Sequence, residues 1–402
     1  MTNRVLITGM GMISSIGMNV EECYASLLRK QSGTDQARIL NTIHRNTFPV
    51  SEVKLSDEEL SLKTGLPQGR PYTRTTLLGM MAAKEAFEHA GLHQLNKLRT
   101  GMISGTSVGG MGKTEVNYLD YLRIENPELL SMYIDTHDCG DSTQTIADTL
   151  GCNDYVTTIS TACSSAANAI MLGARLIKNG ILDRVLVGGV DSLTRFTLNG
   201  FNTLMILDKE HCKPFDGERC GLNLGEAAGF IVLESEEASS EGNRKIYGQL
   251  KGYANTNDAY HQTASSPEGK GAFLAMKKAL EKAELQPGDI DYVNVHGTGT
   301  PNNDLSEGRA MERLFAGQIP PFSSTKSYTG HTLGAAGGIE AVISLLSIKH
   351  QIIFPNLNFK NKMPELNCVP VTDTDTTVSV RTVLSNSFGF GGNNTSLVFS
   401  AS

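Results

Sequence analysis

The sequence predicts an α/β protein built from one unit used twice. Three observations carry that reading. Short β-branched, apolar runs alternate with segments of helical period, each run ends in glycine or small polar residues, and the same order of elements recurs in the second part of the chain. VLITGMG (5–11) reads as a buried strand. TTLLGMMAAKEAFEHAG (75–91) has apolar residues at helical spacing, with Gly91 placed to stop the helix. TGMISGTS (100–107) is the next strand. VTTIS (156–160) leads into a helix of small residues, and RVLVGGVDS (184–192) supplies another strand.

The second series repeats the first. KIYGQLKGY (245–253) opens as a strand, GAFLAMKKALEKAEL (271–285) is a helix, and YVNVHGTGT (292–300) is a strand ending in polar and glycine residues. SSTKS (323–327) leads into the small-residue helix GAAGGIEAVISLLSIKHQ (334–351), and VLSNSFGFGG (383–392) closes the series. AFEHAGL (86–92) and ALEKAEL (279–285) align directly. The chain therefore divides into halves 1–242 and 243–402. Strands alternating with helices imply mixed, mainly parallel sheets layered between helices, and active sites of such sheets gather at the carboxyl ends of strands. Cys163, His296, Lys326 and the 388–392 loop all fall there.

Composition narrows the function. With 402 residues, 40% of them hydrophobic, the chain has ample material for a buried core. A formal net charge of −7 argues against nucleic-acid binding. The 7 cysteines are scattered and form no C-x-x-C pair, so a disulfide framework is not expected and a reducing cytoplasm is the natural compartment. His211, Cys212 and Cys220 lie close in sequence but lack paired metal-ligand spacing, and no metal is expected. RVLITGMGMISSI (4–16) is too short and glycine-broken for a signal peptide, and no segment reaches the ~18 apolar residues of a membrane span.

Two glycine motifs mislead. GTSVGGMGKT (105–114) ends like a phosphate-binding loop, but that pattern needs glycine where Ser107 stands; a tight, backbone-packed turn is the better reading. GMGMISSIG (9–17) begins like a dinucleotide fingerprint, but Ser14 occupies the third glycine position, which leaves a structural glycine turn.

Four segments carry chemistry when taken together: TACSSAAN (161–168), NVHGTGTPNND (294–304), SSTKSYTGHTLGAAGGIE (323–340) and NSFGFGGNN (386–394). Alone, each has an ordinary structural reading, since free cysteine is among the most buried residue types. In combination they resemble the elongating β-ketoacyl-acyl-carrier-protein synthases, of the thiolase-like condensing-enzyme superfamily. That family's pattern has T-A-C-S/T-S, H-G-T-x-T, S-S-T-K-S-x-x-G-H and a late G-F-G-G-x-N loop. All four occur here in that order, and the likeness runs from residue 4 to about residue 400.

The resemblance implies a thiolase-like duplicated fold and a role for each matched residue. Cys163 is the implied nucleophile. Helix N–H groups and dipole would favour its thiolate, lowering a pKa that is ~8.5 in a free cysteine. Backbone N–H groups there, with that of Phe390, would form an oxyanion hole. His296 and His331 would stabilise the enolate left when a malonyl thioester loses carbon dioxide, Lys326 would tune the field around them, and Glu340 would be its acidic partner. Asp304 and Glu307 match acidic positions for which structural roles are expected. Thr298 and Thr300 match contacts to a phosphopantetheine arm, with strand-end packing as the alternative. Phe390 matches a gate, and Val108 and Tyr133 match residues lining the acyl pocket.

The implied reaction moves an acyl chain from acyl carrier protein onto Cys163 and condenses it with malonyl-carrier to a 3-oxoacyl product, two carbons longer, in fatty-acid or related polyene or polyketide synthesis. No metal or redox cofactor is needed, because phosphopantetheine arrives on the carrier. A homodimer is implied, with a heterodimer as the other assembly. The competing reading is a noncatalytic, chain-length-factor-like partner subunit, but such partners usually replace the nucleophile. Initiating synthases use Cys-His-Asn and degradative thiolases a second cysteine, and the HGTGT and KSYTGH segments favour neither.

The resemblance thins where carriers dock. A basic pair that some members carry near position 127 is absent from ENPEL (125–129), and the 204–229 segment is short between its strand and PFD. Docking an acidic carrier on an acidic enzyme needs a local basic patch. Lys63, Arg70, Arg74, Lys209 and Lys213 are candidates, with ordinary solvated charges as the alternative.

Overall fold

The computed structural model describes residues 4–67, 70–92, 98–123 and 133–402. Ten strands form one sheet: β1 (Val5–Ser14), β4 (Thr100–Gly105), β5 (Val156–Ile159), β6 (Arg184–Asp191), β7 (Ala227–Ser235), β8 (Gly248–Asn257), β9 (Tyr292–Asn294), β10 (Phe322–Ser323), β11 (Thr382–Gly389) and β12 (Asn393–Ser400). Two short strands, β2 (Thr34–Asp35) and β3 (Val50–Ser51), pair separately.

The order across the sheet is β10-β9-β11-β12-β8-β1-β7-β6-β4-β5. Read outward from the β1–β8 contact, the two sides are copies. On one side β1 pairs antiparallel with β7 and β7 with β6, then β6 and β5 both pair parallel with β4. On the other, β8 pairs antiparallel with β12 and β12 with β11, then β11 and β10 both pair parallel with β9. The halves meet at Leu6 opposite Gln249 and Ile7 opposite Gly248.

The sheet is mixed, as expected, with antiparallel pairing in the middle of each half. Parallel pairs are confined to the outer three strands of each half. The inner antiparallel strands β7 and β12 are hard to read from the sequence, because each follows a glycine-rich segment and reads as its tail.

Helices explain the glycines. Arg74–His89 lies on β1 and β7, and Lys270–Ala283 lies in the equivalent place on β8 and β12. A Cβ at Gly9 or Gly11 would stand 2.2 or 2.0 Å from the carbonyl oxygen of Ala86 or Ala82, and one at Gly252 would stand 2.2 Å from that of Ala279. GMG is thus a stretch of β1 on which a helix packs closely, not a turn. The turn expected over 105–114 holds only between β4 and helix Met111–Arg123, where Gly110 packs against the Thr136 carbonyl; Gly112, Lys113 and Thr114 lie in that helix instead.

Two further helices, Ser165–Lys178 and Ala336–His350, touch each other and serve the two halves, one on β4 and β6, the other on β7 and β11. Every residue from Ala336 to Ile348 is buried, which is why that helix is apolar on all sides. Gly337 lets it approach Ala167 of its counterpart. The amino ends of these two helices, and the strand ends beside them, hold the site.

Candidate active site

The segment before helix Ser165–Lys178 turns sharply. Ala162 has φ +52, a left-handed conformation that costs a residue with a side chain about 1 kcal/mol or more. The turn sets Cys163 at the head of the helix. Leu333, also at φ +52, holds the same place three residues before Ala336–His350. The duplicated elbow therefore has Gly334 where the first half has Cys163, and only one half supplies a thiol. Gly334 instead donates its N–H to Asp191 Oδ2 at 2.6 Å.

Two imidazoles of the motif set converge on that thiol. His331 Nε2 lies 3.0 Å from Cys163 Sγ, and the His296 ring meets the His331 ring edge-on with centroids 5.3 Å apart. A sulfur and two ring nitrogens from these residues lie within 4.8 Å of one another. All three residues are buried. Burial and the Lys326 charge hold both imidazoles well below the usual histidine range, so they are neutral at physiological pH.

The thiol departs from expectation. Burial pushes Cys163 up to about 12, although the Lys326 charge and the backbone N–H groups of Phe390 and Cys163 itself pull in the other direction. The helix end does favour thiolate, but removing the sulfur from water outweighs it. The resting pair is thiol beside neutral imidazole. A neutral imidazole has one acceptor and one donor nitrogen, so these rings suit taking a proton from sulfur and donating to a developing oxyanion.

Buried carboxylates shape the surroundings. Glu307 accepts the His296 and Gly297 N–H groups at 2.9 Å each, while Asp304 accepts those of Thr298 at 2.9 Å and Phe215 at 2.8 Å. Both brace the HGTGT loop, the structural role expected of them. Gly299, at φ +83, completes the turn where a Cβ would meet the Gly221 carbonyl. Lys326 Nζ is bonded to Glu340 Oε1, and both are buried.

A cavity of about 350 Å³ opens onto the cluster, lined by Cys163, His296, His331, Thr298, Thr300 and Phe390 among others. The Thr298 and Thr300 hydroxyls are 2.8 Å apart on its wall. Phe390 stacks on Phe201, centroids 5.6 Å apart, and Phe388 lies against His296. Phe201, Met205, Ile206 and the 263–265 segment also line this cavity and were not singled out in the sequence, because they belong to no motif. Val108 and Tyr133 do not line it. Val108 is buried with Leu193, Leu198 and Leu333, and Tyr133 borders a separate cavity beside helix Met111–Arg123.

The candidate docking residues divide. Arg74 is not available: its guanidinium binds the fully buried Glu226 at 2.6 Å and Asp57 at 3.0 Å. Arg70 is paired with Asp141 at 2.8 Å, and Lys63 borders a groove with Glu21, Glu22 and Glu85. Lys209 and Lys213 share a groove with Arg45 and Lys360, where Asp35 and Glu210 are the acidic members. Residues 125–129 lie outside the described residues. His211, Cys212 and Cys220 do not converge: Cys212 is buried against the Lys326 carbonyl, and Cys220 is exposed at the cavity wall.

Known proteins align with this chain over its length. The family described as Beta-ketoacyl synthase, N-terminal domain, matches residues 2–239, and Beta-ketoacyl synthase, C-terminal domain, matches residues 247–360. A 3-oxoacyl-[acyl-carrier-protein] synthase 2 of Staphylococcus aureus is 34% identical over 410 residues, covering 98% of both chains. The ishigamide ketosynthase/chain length factor structure is similar with a TM-score of 0.93 and 30% identity over the whole of both chains. A ketosynthase in complex with its type II PKS acyl-carrier protein has a TM-score of 0.90 at 26% identity, again over full length.

Proposed function

The chain belongs to the β-ketoacyl synthase family, and we propose that it extends acyl chains by two carbons with Cys163 as nucleophile and His296 and His331 as the groups facing the reacting oxygens. It is an acyltransferase, a 3-oxoacyl-[acyl-carrier-protein] synthase, as its curated relatives are named. The observation that carries the assignment of roles is the 3.0 Å approach of His331 Nε2 to Cys163 Sγ at the floor of a cavity that also exposes His296.

In the first half-reaction the sulfur attacks the acyl carbonyl, a new C–S bond forms and the carrier thioester bond breaks. The Cys163 proton passes by way of the imidazole to the departing pantetheine thiol. The N–H groups of Cys163 and Phe390, which lie against the sulfur, would receive the charge that the carbonyl oxygen gains; losing one such donor costs about 10²–10³ in rate. In the second half-reaction the malonyl carbon–carboxylate bond breaks and releases carbon dioxide. Its electron pair becomes an enolate whose oxygen the two imidazoles face. The enolate carbon attacks the acyl-enzyme, the new C–C bond forms as the C–Sγ bond breaks, and Sγ leaves as a thiolate that regains its proton from solvent by way of the His331 imidazole.

These steps balance without a metal or redox cofactor. Thr298 and Thr300, on the cavity wall, would hold the phosphopantetheine arm that the carrier brings. Phe390, stacked on Phe201 and followed by Gly391 and Gly392 at φ +79 and +75, would gate the nucleophile. Lys326, held by Glu340, would set the field at the histidines.

A dimer is the proposed assembly. Helix Met111–Arg123 leaves Val116, Tyr118, Leu119, Tyr121 and Leu122 exposed, a face suited to a second chain of this fold. A homodimer is the first reading; a chain-length-factor partner is the second, favoured by the ishigamide neighbour. A noncatalytic role for this chain itself is opposed by the intact cluster of Cys163, His296 and His331. No helix among the described residues is long and apolar enough to cross a membrane, and the free cysteines suit a reducing cytoplasm.

Intact-mass measurement after incubation with acyl-carrier tests the nucleophile. A mass increase equal to the acyl group on the wild type, absent from Cys163→Ala, supports it; an equal increase on both proteins rejects it.

A further inference from the structure

The nucleophile and the loop that faces it come from different halves of the chain, so something must fix one against the other. A chain of side-chain amides and hydroxyls does this. Asn393, the residue after the Gly-Phe-Gly-Gly loop, turns its Oδ1 toward three donors: Asn255 Nδ2 at 2.6 Å, Ser164 Oγ at 2.8 Å and Asn168 Nδ2 at 3.1 Å. Ser164 is the neighbour of Cys163, and Asn168 lies one helical turn further on. Asn168 Nδ2 also donates to Thr161 Oγ1 at 2.9 Å, on the other side of the nucleophile. Its Oδ1 accepts from Thr395 Oγ1 at 2.8 Å and from Asn255 Nδ2 at 3.2 Å.

We infer that Asn393 is a positioning residue that clamps the 389–392 loop onto the nucleophile elbow and so sets the Phe390 N–H against the Cys163 sulfur. Four features support a clamp and not a merely packed polar cluster. Asn393 is covalently next to the loop, so moving its side chain moves the loop's end. Its partners Ser164 and Asn168 bracket the first turn of the helix that Cys163 heads. Gly389 already packs on the elbow, and a Cβ there would stand 2.9 Å from the Thr161 carbonyl and 3.2 Å from the Cys163 nitrogen. Gly391 and Gly392 leave the intervening backbone free to swing, which makes an anchor after them necessary.

A carbonyl oxygen has two lone pairs and here faces three donors, so its removal leaves Ser164 Oγ, Asn168 Nδ2 and Asn255 Nδ2 only their bonds to Thr161, Thr395 and one another, and none to the end of the loop. Asp at 393 keeps an oxygen at the same place. Thr395 bonds Asn168 and Asn255 within the same network but makes no bond to Ser164, Thr161 or the 389–392 loop, and serves as the control.

The inference rests on the reading of Cys163 as nucleophile, and its test separates the two. Wild type, Asn393→Ala, Asn393→Asp and Thr395→Val are compared well below their melting temperatures by two readouts. One is the rate of Cys163 alkylation by iodoacetamide, located by mass; the other is backbone hydrogen exchange of the peptide spanning 389–393. For Asn393→Ala, exchange in that peptide rises about 10-fold or more and alkylation changes at least several-fold. Asn393→Asp restores both toward wild type, and Thr395→Val leaves both within about two-fold. The clamp is overturned if Asn393→Ala moves neither readout, or if Thr395→Val moves both as far. An enzyme alkylated at Cys163 that never takes an acyl group from any carrier would sink the functional reading and leave the clamp standing.

Discussion

Cys163 and His331, 168 residues apart in sequence, stand 3.0 Å apart because two equivalent helix amino ends meet where the halves of the chain face each other. The thiol comes from the elbow of the first half and the imidazole from the segment entering the elbow of the second. Neither group is charged at rest: burial pushes the thiol up to about 12 and the imidazole well down. Substrate therefore meets a neutral pair, and the charge separation of the reaction appears only as bonds change.

That neutrality has a direct consequence for reactivity. Alkylation of Cys163 in the free enzyme should climb with pH from about 6 to about 9 without levelling, because only the thiolate reacts quickly and its fraction keeps growing. A plateau reached near neutral pH in the rate profile would instead mean a preformed thiolate–imidazolium pair.

Stability should carry the sign of the buried histidines. Folding holds His296 and His331 below their ordinary range, so the unfolded chain binds the extra protons as pH drops below about 6.5. Their contribution is present above that pH and lost beneath it. Glu307, with its carboxyl pushed up to about 7 by burial, acts oppositely: its contribution is present at low pH and fades as pH rises toward 7. The melting temperature of His331→Gln should accordingly fall less steeply than that of wild type between about pH 6.5 and pH 5. Parallel slopes by calorimetry would count against a neutral buried His331.

Lys326 and Glu340 form a buried ion pair, so losing one member should cost more than losing both. Lys326→Met leaves a buried carboxylate without its partner and should destabilise by about 3–5 kcal/mol. Lys326→Met with Glu340→Leu should regain most of that stability in denaturant titration while condensation stays impaired. If the double variant is as unstable as the sum of the singles, the two side chains are not coupled.

For carrier docking, the structure redirects attention from Arg74 to the groove of Arg45, Lys209, Lys213 and Lys360. Lys209→Glu with Lys213→Glu should raise KM for carrier-borne substrates about 5-fold or more at low salt, less at high salt, with small-thioester acylation spared. Arg74→Glu should fail by destabilisation, since it sets a carboxylate against buried Glu226. Unchanged carrier kinetics in the lysine double variant would remove this groove from consideration.

The parts legible in the sequence were those written as contiguous patterns. The strand–helix order carries the duplication, and four short motifs contain Cys163, His296, Lys326, His331, Glu340 and Phe390; the structure gathers the thiol, both imidazoles and the Phe390 backbone at one place. What escaped was either masked by neighbours or assembled at long range. β7 and β12 hide behind glycine-rich segments, and with them went the antiparallel middle of each half. Arg74 read as a surface charge because its buried partner Glu226 lies 152 residues away. The amide network of Asn168, Asn255 and Asn393 has no periodicity at all. A helix amino end signals a low thiol pKa only where water or charge can support the thiolate, and the burial of Cys163 is not written in TACSSAAN.

The most direct test of the central claim is product analysis with acyl-carrier and malonyl-carrier labelled with carbon-13 in its two retained carbons. Wild type should release carbon dioxide and a 3-oxoacyl-carrier longer by the two labelled carbons, in equal amounts, while Cys163→Ala makes none of the product. Carbon dioxide released without any elongated product from a well-folded wild type, across a broad range of acyl donors, would contradict the account.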